Sequence, residues 1–206
     1  MRPLPRVHAI TDTQVLALSD FGARAAAIAA AGPAVALHAR DRSAGGAALA
    51  AATSRLAALA RPPEAMVLVN GRPDVAAACG AGGVQLAASD LAPADARRIC
   101  GGFIGRSVHS EDEARAAADE GADFVIAGSV YPTTTHPDRV PGGLALVRGC
   151  ARAGIPVVAI GGVTPARVRE LRDAGAWGVA AISALWGAAD PAAAALLLLE
   201  PWIGAA

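Results

Sequence analysis

The sequence predicts an α/β fold of one class, a compact (β/α)8 (TIM) barrel, and three observations carry that prediction. First, eight short apolar runs alternate with helical segments along the 206 residues, each run tipped by glycine or a polar residue. Each strand is followed by its helix after a short loop, which implies parallel pairing. Second, Ile155 to Ser183 forms a complete β-α-β unit with Gly161-Gly162 at one strand tip and Ser183 at the other. In barrels the loops after the last two strands commonly make a phosphate site from backbone N–H groups. Third, no Gly-rich turn follows the first strand, where a doubly wound dinucleotide fold would place it. Residues 1–206 are expected to form a single domain with a substantial core.

The elements follow in order. Val7–Thr11 is the first strand, tipped by Asp12, and residues 20–31 form a helix stopped by Gly32-Pro33. Strand two covers Ala34–His38 with Arg40 beyond its end, and a helix spans Ala47–Leu59. Strand three is Ala65–Val69, with Asn70-Gly71-Arg72 as its turn and Pro73–Cys79 as a short helix. Strand four, Gly83–Leu86, contains Gln85, and a helix over Pro93–Cys100 follows. Strand five is Phe103–Val108, tipped by His109; Ser110 and Glu113 read as a capping box that opens the next helix. Strand six is Asp123–Ala127, followed by a long polar loop, Tyr131–Gly143, and a helix over Leu144–Ala153. In the last unit Pro156–Ile160 is an apolar run suited to a strand buried on both faces. Thr164 and Pro165 then start a helix that Gly175 ends, and Trp177–Ile182 is strand eight. Ala192–Leu199 reads as a packed terminal helix, too short to span a membrane.

Composition excludes several function classes. Formal net charge is zero and every base is arginine, so no broad basic face is offered to nucleic acid. Cys79, Cys100 and Cys150 lack metal-type spacing and read as reduced core thiols. The first residues carry no apolar signal core, so a cytoplasmic chain is expected, with no membrane partner. No His/Asp/Cys grouping has metal-ligand spacing, so neither a metal nor a cofactor is expected. Barrels of this size often pair, which makes a homodimer an open expectation.

In a barrel the chemistry belongs at the carboxyl ends of the strands. His109 can take and give a proton near neutral pH, or it can cap the following helix or pack against its neighbours; position leaves both readings open. Arg40 suits a carboxylate or phosphate, or a rim salt bridge with Asp41. Asn70 can meet a ring heteroatom or cap the helix that starts at Arg72 and Pro73. Gln85, within an apolar strand, needs a partner, either ligand or neighbouring strand. Ser107 lies near the end of strand five, and Asp12 and Asp90 are further acids at strand ends. Thr133, Thr135 and His136 sit in a loop whose length and hydroxyls suit a lid over an anion. Gly161, Gly162, Ile182 and Ser183 make the most specific signal, a phosphate cradle. His8 and His38 read as structural.

These residues carry a resemblance. His8-Ala-Ile-Thr-Asp12, Val69-Asn-Gly-Arg72 with Asp74, Val84-Gln-Leu86, Gly105-Arg-Ser-Val-His-Ser110, Ala159-Ile-Gly-Gly162 and Ala181-Ile-Ser183 together resemble the thiamine phosphate synthase superfamily over nearly the whole chain. Within it the chain looks most like the TenI-type thiazole tautomerases. Both groups imply a (β/α)8 barrel that binds a thiazole phosphate. The synthase couples hydroxymethylpyrimidine diphosphate to thiazole phosphate and needs magnesium. Its pattern is Asn-Asp where this chain has Asn70-Gly71, Gln-x-Arg where it has His38-Ala39-Arg40, and lysines where it has Arg42 and His136. These departures fall on the pyrimidine diphosphate side. The loop Tyr131-Pro-Thr-Thr-Thr135 is nearer the synthase pattern.

The resemblance therefore implies a tautomerase that aromatises a thiazole carboxylate phosphate by a proton shift, with no metal. His109 would move the proton. Gly161, Gly162, Ile182 and Ser183 would anchor the phosphate, and Arg40, Asn70 and Gln85 would orient the ring or carboxylate. Two alternatives accompany it: a thiamine phosphate synthase, and a non-catalytic thiazole phosphate-binding barrel with a regulatory role.

Overall fold

The computed structural model describes residues 3–60, 64–133 and 140–203. Eight parallel strands close on themselves in chain order: β1 (Val7–Ile10), β2 (Val35–Ala39), β3 (Met66–Asn70), β4 (Gly83–Leu86), β5 (Phe103–Val108), β6 (Phe124–Gly128), β7 (Val157–Ile160) and β8 (Gly178–Ala181). β8 pairs back onto β1, with Val7 opposite Val179, and so the sheet has no edge. Around it run α1 (Thr13–Leu16), α2 (Phe21–Ala29), α3 (Gly46–Leu59), α4 (Pro73–Ala78), α5 (Pro93–Ile99), α6 (Glu111–Asp119), α7 (Gly143–Ala151), α8 (Pro165–Asp173), α9 (Ser183–Trp186) and α10 (Pro191–Leu199). The expected barrel is therefore observed, with strand ends shifted by a residue or two. α1 and α9 were not expected. A four-residue helix is too short to show a 3.6-residue period, although Asp12, whose carboxylate accepts from the Val15 amide, is an ordinary cap signal for α1. None of the helices among the described residues is long and apolar enough to cross a membrane.

Successive strand residues face opposite sides, so one parity fills the barrel and the other meets the helices. The outward set includes Val7, Leu37, Val69, Val84, Ile104 and Val179, which join one core with Phe21, Leu56, Leu171, Leu185 and Trp186 from the helices. The inward set includes Ile10, Ala36, Leu68, Phe124, Ile126, Val158 and Ala180. This alternation decides the site. His8, His38, Asn70, Gln85 and Ser107 all share the inward parity of their strands.

The interior is tightly filled. A Cβ added to Gly105 would lie 2.1 Å from Gln85 Oε1 and 2.3 Å from Phe124 Cζ. Gly105→Ala is accordingly expected to destabilise the fold by about 1–3 kcal/mol through overpacking. A denaturant midpoint equal to that of the parent chain would contradict this packing.

His8 and His38 are fully buried. Burial pushes the His8 imidazole well below its ordinary value, with His38 beside it adding to the effect, and burial brings His38 down to about 4. Both are neutral in the folded protein, and the unfolded chain binds the extra protons. Their contribution to stability is therefore complete above about pH 6.5 and is lost as pH falls from there toward 4. The expected slope is at most about 1.4 kcal/mol per pH unit for each histidine. Chemical denaturation at a series of pH values checks it, and a flat profile across that window would contradict it.

Candidate active site

The carboxyl ends of the strands open into a cavity of about 1160 Å3. That is slightly above the usual range for one ligand, roughly 300–1000 Å3. Arg40, Asn70, Gln85, Ser107, His109, Thr133, Gly161, Gly162, Ile182 and Ser183 all line it. The sequence-predicted residues thus converge at one mouth, except Thr135, which with His136 lies outside the described residues. Four arginines (Arg40, Arg42, Arg72, Arg167) face two aspartates (Asp41, Asp90) in the lining, so the mouth favours anions.

One pole is built by β7 and β8. Gly161 and Gly162 leave β7 with φ of 100° and 61°, a left-handed backbone that glycine adopts without penalty. The loop after β6 packs directly on them. The Tyr131 amide donates to the Gly161 carbonyl at 3.1 Å, and a Cβ on Gly162 would meet the Pro132 carbonyl oxygen at 2.6 Å. Arg167, in the first turn of α8, donates to the Gly162 carbonyl at 2.7 Å and lies 4.4 Å from the centre of the Tyr131 ring. The Tyr131 hydroxyl donates in turn to Glu170. Opposite, Ile182 precedes α9, whose opening amides have no partner within the helix. Arg167 is a lining residue that sequence reasoning missed. Its helical spacing from Pro165 was visible, but nothing in the sequence says that its side chain reaches back to the strand tip.

The second pole is built by β2, β3 and the loop after β4. Thr11, fully buried at the end of β1, accepts from the Arg40 amide at 2.9 Å and lies within hydrogen-bond reach of the His38 and Arg40 carbonyls. It thereby ties the Arg40 backbone to β1, a role the sequence did not disclose. The Arg40 guanidinium is half-buried; burial and then Arg42 beside it pull its pKa down. It makes no ion pair among the described residues. The expected rim bridge to Asp41 does not form, because that carboxylate is taken up by the Thr13 hydroxyl at 2.7 Å and by the Ser43 amide and hydroxyl at 2.9 and 2.7 Å. Asn70 does not cap α4. Its Oδ1 lies 3.0 Å from His38 Nδ1, and the Arg72 cap position has no side-chain cap bond. Asp90 accepts from the Ala87 amide at 2.7 Å and sits beside Gly71, where an added Cβ would lie 3.3 Å from its Oδ2.

Between the poles, Gln85 finds its partner on the neighbouring strand. Its Nε2 donates to Ser107 Oγ at 3.1 Å and to the Leu86 carbonyl at 3.3 Å, while Oε1 is buried with no partner among the described residues. The N-cap of α6 is Ser110, and His109 lies just before it rather than capping the helix itself. The His109 amide donates to Glu113 Oε2 at 2.7 Å, and its exposed imidazole lines the cavity with Nδ1 donating to the Gly128 carbonyl.

A barrel with two anion-favouring poles around one cavity defines a class of protein that handles phosphorylated small molecules. Within that class the chain belongs to the thiamine monophosphate synthase (TMP-TENI) family, matched over residues 7–185. It is 44% identical over 179 residues to a thiamine-phosphate synthase from Methanoculleus marisnigri, covering 85% of each protein. It is 46% identical over 153 residues to the thiamine biosynthesis bifunctional protein ThiM/ThiE of Symbiobacterium thermophilum, covering 72% of this chain but only 32% of that longer protein. The solved thiamine phosphate pyrophosphorylase from Pyrococcus furiosus superposes with a TM-score of 0.80 at 34% identity, over 95% of this chain and 94% of the other.

These relatives correct the sequence reading. The superfamily is as expected, but the relatives bear the synthase name, so the TenI-type tautomerase, and with it the isomerase assignment and His109 as its proton shuttle, is not sustained. The departures at positions 42 and 71 were given too much weight. Arg42 keeps the positive charge that a lysine would supply, and Arg40, Arg42 and Asp90 all line the cavity. The basic pole at the β2 end of the cavity is altered in detail but keeps its positive charge.

Proposed function

We propose that this protein is a thiamine-phosphate synthase, a transferase that joins hydroxymethylpyrimidine diphosphate to thiazole phosphate and releases diphosphate. The observation that carries the reading is the pairing of two anion poles in one cavity large enough for two substrates. Arg40 and Arg42 hold the diphosphate; a planar guanidinium gives Arg40 a two-pronged grip. Gly161, Gly162, Ile182 and Ser183 take the thiazole phosphate through backbone amides, as barrel loops after strands seven and eight commonly do. Asn70, Gln85 and Ser107 orient the pyrimidine, Thr133 borders the phosphate pole, and His109 contacts substrate from the wall. With both anions fixed, the thiazole nitrogen is presented to the methylene carbon of the pyrimidine, and the C–N bond forms as the C–O bond to diphosphate breaks. Positioning of this kind converts a bimolecular step into an effectively unimolecular one.

The synthase resemblance implies magnesium. Among the described residues no group of three or more His, Cys, Asp or Glu could hold a metal. The donor set fits an ion that arrives on the diphosphate and is steadied by one carboxylate, which is how magnesium is often bound. Asp90 is the residue placed to do this, and the ion when bound would neutralise charge on the diphosphate. The test is to incubate the protein with both phosphorylated halves and magnesium and to assay thiamine phosphate. Formation only when both halves are present supports the synthase; tight binding of thiazole phosphate without turnover would support the regulatory barrel and reject the proposal.

A further inference from the structure

The backbone amides at the β7 pole bring hydrogen-bond donors but no formal charge. Of the four arginines that line the cavity, Arg40 and Arg42 follow β2 and Arg72 follows β3, where Asp74 takes it in a two-pronged pair. Arg167 is the one arginine of the described lining that stands beside β7, and the chain has no lysine. Helix chemistry does not explain its place. It lies in the first turn of α8, where a cation opposes the helix dipole, and no acid in that turn offsets it.

Side chains on a helix lean toward its N-terminus, which carries the half-buried Arg167 back to the strand tip. Nη1 donates to the Gly162 carbonyl at 2.7 Å, and the guanidinium carbon lies 4.4 Å from the centre of the Tyr131 ring. These contacts use one donor and one face. A guanidinium has five N–H groups, and no other hydrogen bond or ion pair engages Arg167 among the described residues. Glu170, the acid one turn further along α8, accepts from the Tyr131 hydroxyl instead. The Gly162 amide likewise donates to no backbone carbonyl among the described residues. A backbone amide donates to a hydroxyl oxygen or a phosphate oxygen alike, whereas a guanidinium gains most from the charged one. We infer that Arg167 is the specificity-determining residue of this pole. Held by the Gly162 carbonyl and the Tyr131 ring, it donates from its remaining N–H groups to a phosphate monoester, and so separates a phosphorylated substrate from the matching alcohol. This deepens the proposed function and rests on it only for which molecule carries the phosphate; the capture of phosphate stands by itself.

The test has two arms. In the first, inorganic phosphate is titrated into the full chain while 1H–15N NMR follows the Gly162 amide and the Arg167 Nε–H. Both signals are expected to shift together with one Kd, and Arg167→Gln, which keeps a donor but not the charge, is expected to raise the Kd read at the Gly162 amide about tenfold or more. A Gly162 amide that does not respond, or that gives the same Kd in the variant, overturns the inference whether or not the protein couples the two halves. In the second arm, kcat/KM is compared for thiazole phosphate and the unphosphorylated thiazole alcohol. Arg167→Gln is expected to cut the preference for the phosphate by about tenfold or more, with KM for the pyrimidine diphosphate unchanged, and Arg167→Lys to recover part of it. A side chain that merely held the Gly162 carbonyl in place would lower both thiazoles alike, and that result overturns the assignment. If the Gln variant does not fold, Arg167→Lys decides: it must still bind phosphate at the Gly162 amide, and loss of that response overturns the inference.

Discussion

Replacing Arg40 with alanine is expected to lower kcat/KM for thiamine phosphate formation by about 10²–10³-fold, the usual cost of removing one preorganised donor from developing charge. The size of the effect follows from what the structure leaves unpaired. Arg40 is half-buried, its backbone is held by the Thr11 hydroxyl, and no ion pair neutralises it among the described residues. Asp41, its nearest acid in sequence, is occupied by Thr13 and Ser43. A half-buried cation with no ion pair among the described residues is poised for an anionic ligand, and its attraction is strengthened by the same low dielectric that penalises it when empty. Arg40→Lys keeps the charge but not the planar fork, so it is expected to recover only part of the loss. Steady-state kinetics on both variants checks this, and an Arg40→Ala enzyme within threefold of the parent would remove Arg40 from the site.

Gly162→Ala is expected to have the second largest effect, at the other pole. The added Cβ would stand 2.6 Å from the Pro132 carbonyl oxygen and 2.7 Å from Tyr131 Cβ, where a left-handed φ of 61° already disfavours any side chain. The neighbours cannot yield easily, because Tyr131 is tied to Gly161 through its amide, to Glu170 through its hydroxyl and to Arg167 through its ring. The expected result is a loss of about 1–3 kcal/mol in stability together with at least a tenfold rise in KM for thiazole phosphate. KM for the pyrimidine diphosphate should change much less. A variant as stable as the parent, with both KM values unaltered, would show that the β7 tip is not where the phosphate sits.

The eight strands were legible because each is a short buried run bounded by turn residues, and most of the site was legible because barrel chemistry collects at strand ends. The sequence placed Gly161, Gly162, Ile182 and Ser183 at one mouth with Arg40, Asn70, Gln85 and His109, and the structure brings them together there. What escaped depends on distance rather than on order along the chain. Thr11 bonds to Arg40, 29 residues away, and Arg167 reaches back five residues to a carbonyl; neither leaves a periodic trace. His8 and His38 read as structural, and burial agrees, but their link to Asn70 appears only once three strands are side by side. The functional error has a physical root as well. Arg42 and Gly71 were read as losses at single positions, whereas a diphosphate pole depends on the summed charge of its lining.

The most direct measurement counts diphosphate against product. With both phosphorylated halves and magnesium present, the account predicts one diphosphate released for each thiamine phosphate formed, and release that stops when the thiazole phosphate is withheld. Diphosphate freed without the thiazole partner, or no diphosphate released with both halves present, would contradict it.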